Sequence, residues 1–353
     1  MRIGVYGEIS RHGGGQYYMK SLIEALHPNN ISLIAGIRKD PLNIISLVNN
    51  IIPVNYYYQD EENILKVIFS VLSLKRQIAN INIKFDLTIN NHPNIFIKNA
   101  DINILHGFSF LDRIINYKGD ITNKFIFHAI KLSRLYKEYN NSNFVVNSSY
   151  TKNISERLFP KLGLKYRIIG VLYPTFNMKS LMSTGNKILL FGRINRRKNI
   201  DNFLKIANEI NGEIIVAGAV NSDDDEKYLK NLEKISPGNV KFMVNPTDSQ
   251  KEEIFMDSSV YIHTAQNENF GITVLEAMSH GIVPIVPKSG GPWLDIINEG
   301  EFGLGYSNTC EIPGLIDMAS RQSYSYRKEI MLSVGKFSPE NYRKTLMEII
   351  DRV

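Results

Sequence analysis

Residues 260–286 read VYIHTAQNENFGITVLEAMSHGIVPIV, and this stretch decides the fold. A strand-like run, Val260–Thr264, is followed by a polar loop and then by apolar residues at helical spacing over Thr273–His280. A second apolar run, Ile282–Val286, follows at once. Short apolar runs that alternate with helices are typical of βαβ units, in which helices cover a parallel sheet. The stretch therefore predicts an α/β fold.

The same alternation extends in both directions through most of the 353 residues, and it predicts, among other elements, helices over Ile200–Ile210 and Trp293–Asn298 and a strand over Val240–Val244. A chain of this length exceeds the roughly 250–300 residues at which single cores stop growing, so we expect two doubly wound, Rossmann-like domains. We expect them at residues 1–176 and 186–338, joined by a polar linker over Asn177–Asn186. The last helix, Pro339–Val353, is expected to pack back on the first domain. Ligands of such sheets bind outside the carboxyl ends of the strands, which predicts a central cleft between the domains.

Composition favours a protein of a reducing compartment. Cys310 is the one cysteine, so neither a disulfide framework nor a cysteine metal cluster can form within the chain. The apolar run Ile3–Tyr6 is too short for a signal peptide, and no apolar run approaches the ~18 residues of a membrane span. We expect a cytoplasmic protein, with peripheral contact to the cytoplasmic membrane face left open.

Charge is unevenly distributed along the chain. Residues 1–180 hold 22 Lys and Arg against 12 Asp and Glu, whereas residues 181–353 hold 19 against 23. A basic first half suits an anionic membrane or a pyrophosphate-bearing acceptor, although the lysines could be merely solvated. The basic, apolar stretch Asn116–Tyr139 could lie on a membrane or be an ordinary helix with a buried face. No signature of a nucleic-acid-binding domain is present, so nucleic acid is not an expected partner.

The segment Gln266–Glu276 carries the strongest chemical signal. It places Glu268 in a loop and Glu276 eight residues later in a helix. A glycine at a helix start suits phosphate binding, and carboxylates accept hydrogen bonds from the hydroxyls of a sugar and a ribose. The alternative interpretation is that both glutamates are ordinary surface residues.

Cationic residues follow the first strand of the second predicted domain, in the segment FGRINRRKN over residues 191–199. Arg193 and Lys198 are placed to converge on a diphosphate and to stabilise it as a leaving group. Arg196 and Arg197 could be solvated charge alone.

Two weaker signals lie in the first half. The glycine loop His12–Gln16 follows the first strand, and glycines let a backbone approach a ligand closely. His106 ends the strand Ile102–Leu105, which places it where ligands bind, although a lone histidine is also compatible with a structural role. No nucleophile elbow, Walker loop or His-Glu-x-x-His zinc motif is present, so other reaction classes are not supported.

Together these segments resemble the family-4 retaining glycosyltransferases of the GT-B fold. The resemblance is carried by the glycine loop, by Gly-Arg-x(4)-Lys and by the Glu-x(7)-Glu pair within Phe-Gly-Ile-x-x-x-Glu-Ala-Met. The phrases Val146–Thr151 and Ser289–Ile296 are similar to the mannosyltransferases that extend dolichol-linked oligosaccharides. The sequence differs from these mannosyltransferases at Gly107-Phe108 and Thr175-Phe176, so the identity of the acceptor stays open.

The resemblance implies roles for individual residues around GDP-mannose or UDP-glucose as donor. Glu268 would hold the donor sugar's hydroxyls, Glu276 the ribose, and Arg193 with Lys198 the departing diphosphate. The departing phosphate oxygen would take the acceptor's proton, so that no metal cofactor is required. The remaining implied site residues serve the donor through the backbone or side chain (Gly14, Gly15, Phe270, Gly271, Ile272 and His106) or approach the acceptor (Gln16).

The implied reaction is transfer of a hexose to a glycan acceptor, in particular a lipid-linked oligosaccharide. Two alternatives stay open at this stage. A relative of the same fold could epimerise or hydrolyse a nucleotide sugar, and a non-catalytic relative could only bind one.

Overall fold

The computed structural model describes residues 1–9, 14–37, 39–55, 73–92, 100–107, 141–160, 163–178 and 181–353. These form two compact units, one built from Met1–Thr175 with Pro339–Val353 and the other from Phe176–Ser338. The basic stretch Asn116–Tyr139 and the beginning of the glycine loop, His12 and Gly13, lie outside the described residues.

The first unit is built on a seven-stranded sheet in the order β3-β2-β1-β4-β5-β6-β7, and its described strand pairs are parallel. Its central strands are buried along nearly their whole length, because a parallel sheet of this kind is covered on both faces. The strands are β1 (Arg2–Glu8), β2 (Asn30–Gly36), β3 (Asn50–Pro53), β4 (Leu87–Asn90), β5 (Ile102–Leu105), β6 (Ser142–Val146) and β7 (Tyr166–Val171).

Two helices that lie between strands of this unit are described in full. Helix α1 (Gly14–Leu26) follows β1 and buries Met19, Leu22 and Ile23 in the main core. Helix α2 (Ser149–Leu158) begins after Ser148, whose hydroxyl accepts a hydrogen bond from the Thr151 amide as an N-cap. Residues 73–79 are also helical.

The second unit is built on a six-stranded parallel sheet in the order β10-β9-β8-β11-β12-β13. Its strands are β8 (Lys187–Phe191), β9 (Ile214–Gly218), β10 (Val240–Val244), β11 (Ser258–Ile262), β12 (Val283–Pro287) and β13 (Leu304–Tyr306). Its helices are α3 (Ile200–Leu204), α4 (Asp223–Ile235), α5 (Asp248–Met256), α6 (Ile272–Met278), α7 (Ile312–Ser320) and α8 (Tyr324–Ser333).

The final helix, α9 (Pro339–Ile350), belongs to the first unit. Tyr342, Leu346 and Ile349 are almost fully buried in the core that α1 and the central strands share. A Cβ on Gly170 of β7 would lie 2.7 Å from the Ile349 side chain, so this helix packs directly on the sheet. The end of the chain therefore stabilises the unit in which the chain begins.

Local structure departs from the sequence predictions at three places. The stretch predicted as a linker packs on the second unit, where the Ser183 amide donates to the His280 carbonyl at 2.9 Å. The helix predicted over Ile200–Ile210 ends at Leu204 and is followed by a separate 3-10 turn. The helix predicted over Trp293–Asn298 is a π-helical turn, Pro292–Ile296, in which the Ile297 amide donates to the Pro292 carbonyl at 3.0 Å.

Candidate functional site

The second sheet reverses its strand order between β8 and β11. These two strands are neighbours, with Leu189 paired to Tyr261, although about 70 residues separate them along the chain. Their carboxyl ends release two loops side by side, residues 192–199 and residues 263–271. Such a switch point is where doubly wound sheets bind ligands.

An ion pair joins the two loops. The Nζ of Lys198 lies 2.5 Å from Oε2 of Glu268, and each side chain is only about one quarter exposed, at 26% and 28%. Lys198 ends a 3-10 turn, Arg196–Lys198, and its carbonyl accepts a hydrogen bond from the Thr264 hydroxyl. The lysine therefore contacts the loop after β11 through its backbone as well as through its ammonium group.

Glu268 is held in its charged form. Burial acts to raise the pKa of this carboxyl, but the charges of Lys198 and Arg197 and the Lys198 hydrogen bond outweigh burial and lower the pKa below its ordinary value. The carboxylate is thus an acceptor at neutral pH, with one oxygen engaged by Lys198.

Two glycines of the phrase Ser289–Ile296 allow the Glu268 loop to take its shape. Gly290 has a φ of +80°, and a Cβ on it would lie 2.6 Å from the Glu268 carbonyl oxygen. A Cβ on Gly291 would lie 2.4 Å from the Asn269 carbonyl oxygen, and the Gly291 amide donates to the Glu268 carbonyl at 2.8 Å. Two close backbone approaches therefore support the loop that presents the carboxylate.

Glu276 lies in α6, which starts after Gly271 in the left-handed conformation with φ +101°. Its carboxylate meets the Lys251 ammonium of α5 at 2.5 Å, and that ammonium also lies 5.1 Å from the centre of the Phe191 ring. The sequence did not indicate Lys251. Both glutamates of the motif are therefore neutralised by a lysine of the same unit.

Arg193 and Lys198 line one small cavity of about 20 Å³ at the end of β8, together with Phe191, Gly192, Tyr261 and His263 among others. The Nε of Arg193 donates to Oδ2 of Asp225 at 3.1 Å, while half of its side chain stays exposed. Asp225 is buried, and its Oδ2 also accepts from the Asn221 amide. Asp225, which the sequence did not indicate, thus holds the arginine.

His263 is a further residue of this cavity that the sequence did not indicate. Its side chain is 3% exposed, and its Nε2 lies 3.9 Å from Oε2 of Glu268. Burial, reinforced by the Lys198 charge, lowers the pKa of its imidazole to about 4, so the ring is neutral at pH 7.

The remaining predicted site residues belong to the first unit. Gly14 is the first residue of α1, with Gly15 and Gln16 in its first turn, and a Cβ on Gly15 would meet nothing within 4 Å. The Nε2 of His106 lies 2.7 Å from the Asn91 side-chain oxygen, and its ring forms a T-shaped pair with the Tyr18 ring, with the ring centres 4.6 Å apart. Burial lowers the pKa of His106 to about 4. The structure therefore gives His106 local partners, next to the end of β5.

Among the described residues, no group of three or more histidine, cysteine, aspartate or glutamate side chains is arranged to hold a metal ion. No helix within the described ranges combines the length and the apolar character that crossing a bilayer requires.

Two parallel-sheet Rossmann-like units of this topology define the GT-B fold of glycosyltransferases. Sucrose-phosphate synthase from Thermosynechococcus elongatus superimposes with a TM-score of 0.73 over 99% of this chain and 98% of its own, at 16% identity. HepE from Anabaena, solved in complex with UDP, gives a TM-score of 0.70 over the whole of both chains, at 14% identity. The predicted α/β GT-B fold is confirmed.

The second unit identifies the group within that class. Residues 175–311 match the family Glycosyl transferases group 1, so the chain carries a group 1 glycosyltransferase domain. The human GDP-Man:Man(3)GlcNAc(2)-PP-Dol alpha-1,2-mannosyltransferase is 25% identical over 241 residues, which are 59% of this chain and 48% of the human protein. The chain thus spans about half the length of this curated relative. The resemblance to dolichol-linked-oligosaccharide mannosyltransferases is confirmed.

Proposed function

We propose that the protein is a retaining glycosyltransferase that moves mannose or glucose from a nucleotide-diphosphate sugar to a glycan acceptor. The observation that carries the proposal is the Lys198–Glu268 pair at the switch point of the second sheet. A cation and a carboxylate side by side match the two chemically different ends of the bond that breaks, a diphosphate and a polyhydroxylated ring.

The cationic side of the site would stabilise the leaving group. As the bond from the sugar C1 to the phosphate oxygen breaks, negative charge grows on the diphosphate, and Lys198 and Arg193 would neutralise it. The acceptor oxygen bonds to C1 on the same face of the sugar. The acceptor proton passes to the departing phosphate oxygen, so atoms and charges balance.

The acidic side would grip the donor through its hydroxyls. Glu268 would accept hydrogen bonds from the sugar, supported by the backbone of Phe270, Gly271 and Ile272, while Glu276 would accept them from the ribose. Hydrogen bonds to a charged carboxylate contribute about 1.5–3 kcal/mol each, enough to decide donor affinity. The ion pairs of Lys198 with Glu268 and of Lys251 with Glu276 would then open or rearrange as the donor binds.

Two donors fit the proposal. The human relative is named for GDP-mannose, and HepE was solved with UDP and with UDP-glucose. The human relative is also named for a lipid-linked oligosaccharide acceptor, which favours an acceptor of that class here.

The first unit would contribute residues to both the donor and the acceptor. Gly14 or Gly15 would offer an amide near the donor phosphate, Gln16 would approach the acceptor, and the neutral His106 would lie near the donor sugar. The excess of Lys and Arg in residues 1–180 would favour an acidic lipid-linked acceptor and peripheral contact with an anionic membrane.

A thermal-shift screen with GDP, UDP and ADP sugars tests the donor. A ligand at 100 times its dissociation constant adds about 2.7 kcal/mol of stability, which is readily detected. The stabilising donor is then incubated with lipid-linked oligosaccharides, and the anomeric configuration of the product is read by NMR. Transfer with retention supports the proposal. Free sugar or an isomer formed without acceptor would instead indicate a hydrolase or an epimerase, and binding without turnover a non-catalytic relative.

A further inference from the structure

His263 is anchored by its backbone at the end of β11. Its amide donates to the Ile285 carbonyl at 2.9 Å, and its carbonyl accepts from the Tyr306 hydroxyl at 3.0 Å. The imidazole lies in the cavity beside Lys198. Its position is set by three neighbouring strands rather than by a loop.

The outer nitrogen of this ring lacks a partner. Within the described part of the chain, Nε2 of His263 is buried and makes no hydrogen bond. The nearest acidic atom is Oε2 of Glu268 at 3.9 Å, and this oxygen is engaged by Lys198 at 2.5 Å. A buried polar group without a hydrogen bond is costly, so Nε2 is a candidate for a partner that arrives when a ligand binds.

We propose that His263 is a positioning residue for the donor sugar: its Nε2–H takes up the Glu268 carboxylate when Lys198 turns to the donor diphosphate. The inference rests on the proposed function, because it needs a diphosphate to draw the lysine away. A movement of about 1 Å would bring Nε2 and Oε2 within hydrogen-bond distance.

The chemistry of the two nitrogen groups favours such an exchange. The Lys198 ammonium is a mobile point charge on a flexible stem, and a diphosphate offers it more negative charge than one carboxylate does. A neutral imidazole is a better second partner than another cation. It orients the carboxylate without cancelling the charge that attracts sugar hydroxyls.

The ring can present its proton at Nε2. Its Nδ1 lies 3.5 Å from the Tyr261 hydroxyl, too long for a strong hydrogen bond. That hydroxyl is itself placed 3.0 Å from the Phe191 carbonyl and 2.8 Å from the Thr273 hydroxyl. The tautomer protonated at Nε2 therefore faces the carboxylate without losing a strong bond at Nδ1.

If His263 positions the sugar, its substitution should weaken only those interactions that involve the sugar part of the donor. Glu268 is assigned to the sugar, so a residue that acts through Glu268 should leave binding of the nucleoside diphosphate unchanged. If His263 had a purely structural role, its substitution would weaken the binding of both ligands or would lower only the stability of the protein.

Calorimetric titration of wild type, His263→Leu, His263→Gln and His263→Asn with GDP-mannose, UDP-glucose, GDP and UDP tests this. The Gln amide reaches the place of Nε2, whereas the shorter Asn amide does not. We expect Leu and Asn to weaken binding of the preferred nucleotide sugar by about tenfold or more, Gln to restore it, and the nucleoside diphosphate to bind within about twofold throughout. If Leu fails to fold, the comparison of Gln with Asn carries the test.

Two outcomes overturn the inference separately. Suppose that wild type binds nucleotide sugars. If the variants then lose affinity for nucleotide sugar and nucleoside diphosphate equally, or lose affinity for neither, His263 does not position the sugar. If wild type binds no nucleotide sugar at all, the proposed function fails and the inference falls with it.

Discussion

Gly290 packs against the backbone of Glu268 so closely that a Cβ at position 290 would lie 2.6 Å from the Glu268 carbonyl oxygen and 2.9 Å from its nitrogen. Gly290 also has φ +80°, a conformation that residues with a side chain rarely adopt. The loop that presents the carboxylate is therefore shaped by a glycine 22 residues further along the chain.

Gly290→Ala should destabilise the protein by about 1–3 kcal/mol, since it combines backbone strain with a clash against the Glu268 peptide. Urea unfolding measures the loss, and a parallel assay should show weaker donor binding. Gly238→Ala is the matched control, because a Cβ there meets nothing within 4 Å. Equal stability of the two variants would contradict the close approach.

Glu268→Gln should reduce sugar transfer by at least about 100-fold, because an amide cannot replace the carboxylate that is proposed to hold the sugar in the transition state. The free energy of unfolding should change by no more than about 1 kcal/mol, since the ion pair with Lys198 is partly exposed. Initial rates with saturating acceptor measure the effect. Glu233→Gln, on the exposed face of α4, serves as control. Retention of more than a tenth of the activity would remove Glu268 from the site.

Glu276→Gln should weaken nucleoside diphosphate and nucleotide sugar alike, by about tenfold each. The reason is that the ribose, which Glu276 is proposed to hold, is common to both ligands. Competition binding with the two ligands measures the ratio. A loss seen only with the nucleotide sugar would place Glu276 against the hexose instead.

Stability should depend on pH through His263. Burial lowers the pKa of its imidazole from 6.5 to about 4, so between these values the unfolded chain binds a proton that the folded chain does not. Stability contributed by the neutral ring is present above about pH 6.5 and is lost as pH falls towards 4, with a limiting slope of about 1.4 kcal/mol per pH unit.

His263→Gln removes this dependence. From pH 7 to pH 5 the variant should lose about 2 kcal/mol less than wild type in urea unfolding. Equal losses of stability in the two proteins between pH 7 and pH 5 would show that the pKa of His263 keeps its ordinary value in the folded protein.

Much of the second unit could be predicted from the sequence, because buried parallel strands are continuous apolar runs and their order along the chain is regular. β10 was predicted with its observed bounds, Val240–Val244. The proximity of Lys198 to Glu268 was expected only through the rule that ligands meet the carboxyl ends of strands. It depends on β8 and β11 being neighbours, which no local pattern encodes.

The residues that sequence reasoning missed share a physical reason. Lys251, Asp225 and His263 are ordinary residue types whose roles arise from one contact with a distant element. The phrase Ser289–Ile296 was noticed as a resemblance, but its support of the Glu268 loop is a backbone contact that spacing does not reveal. Short strands such as β3 and β13 carry too few apolar residues to stand out.

The most direct measurement of the central claim is a crystal structure of the protein with an intact nucleotide sugar. We expect Lys198 Nζ within about 3 Å of a diphosphate oxygen and the Glu268 carboxylate within about 3 Å of a hexose hydroxyl, with the present ion pair opened. A nucleotide sugar bound away from the carboxyl ends of β8 and β11, with Lys198 and Glu268 still paired, would contradict the account.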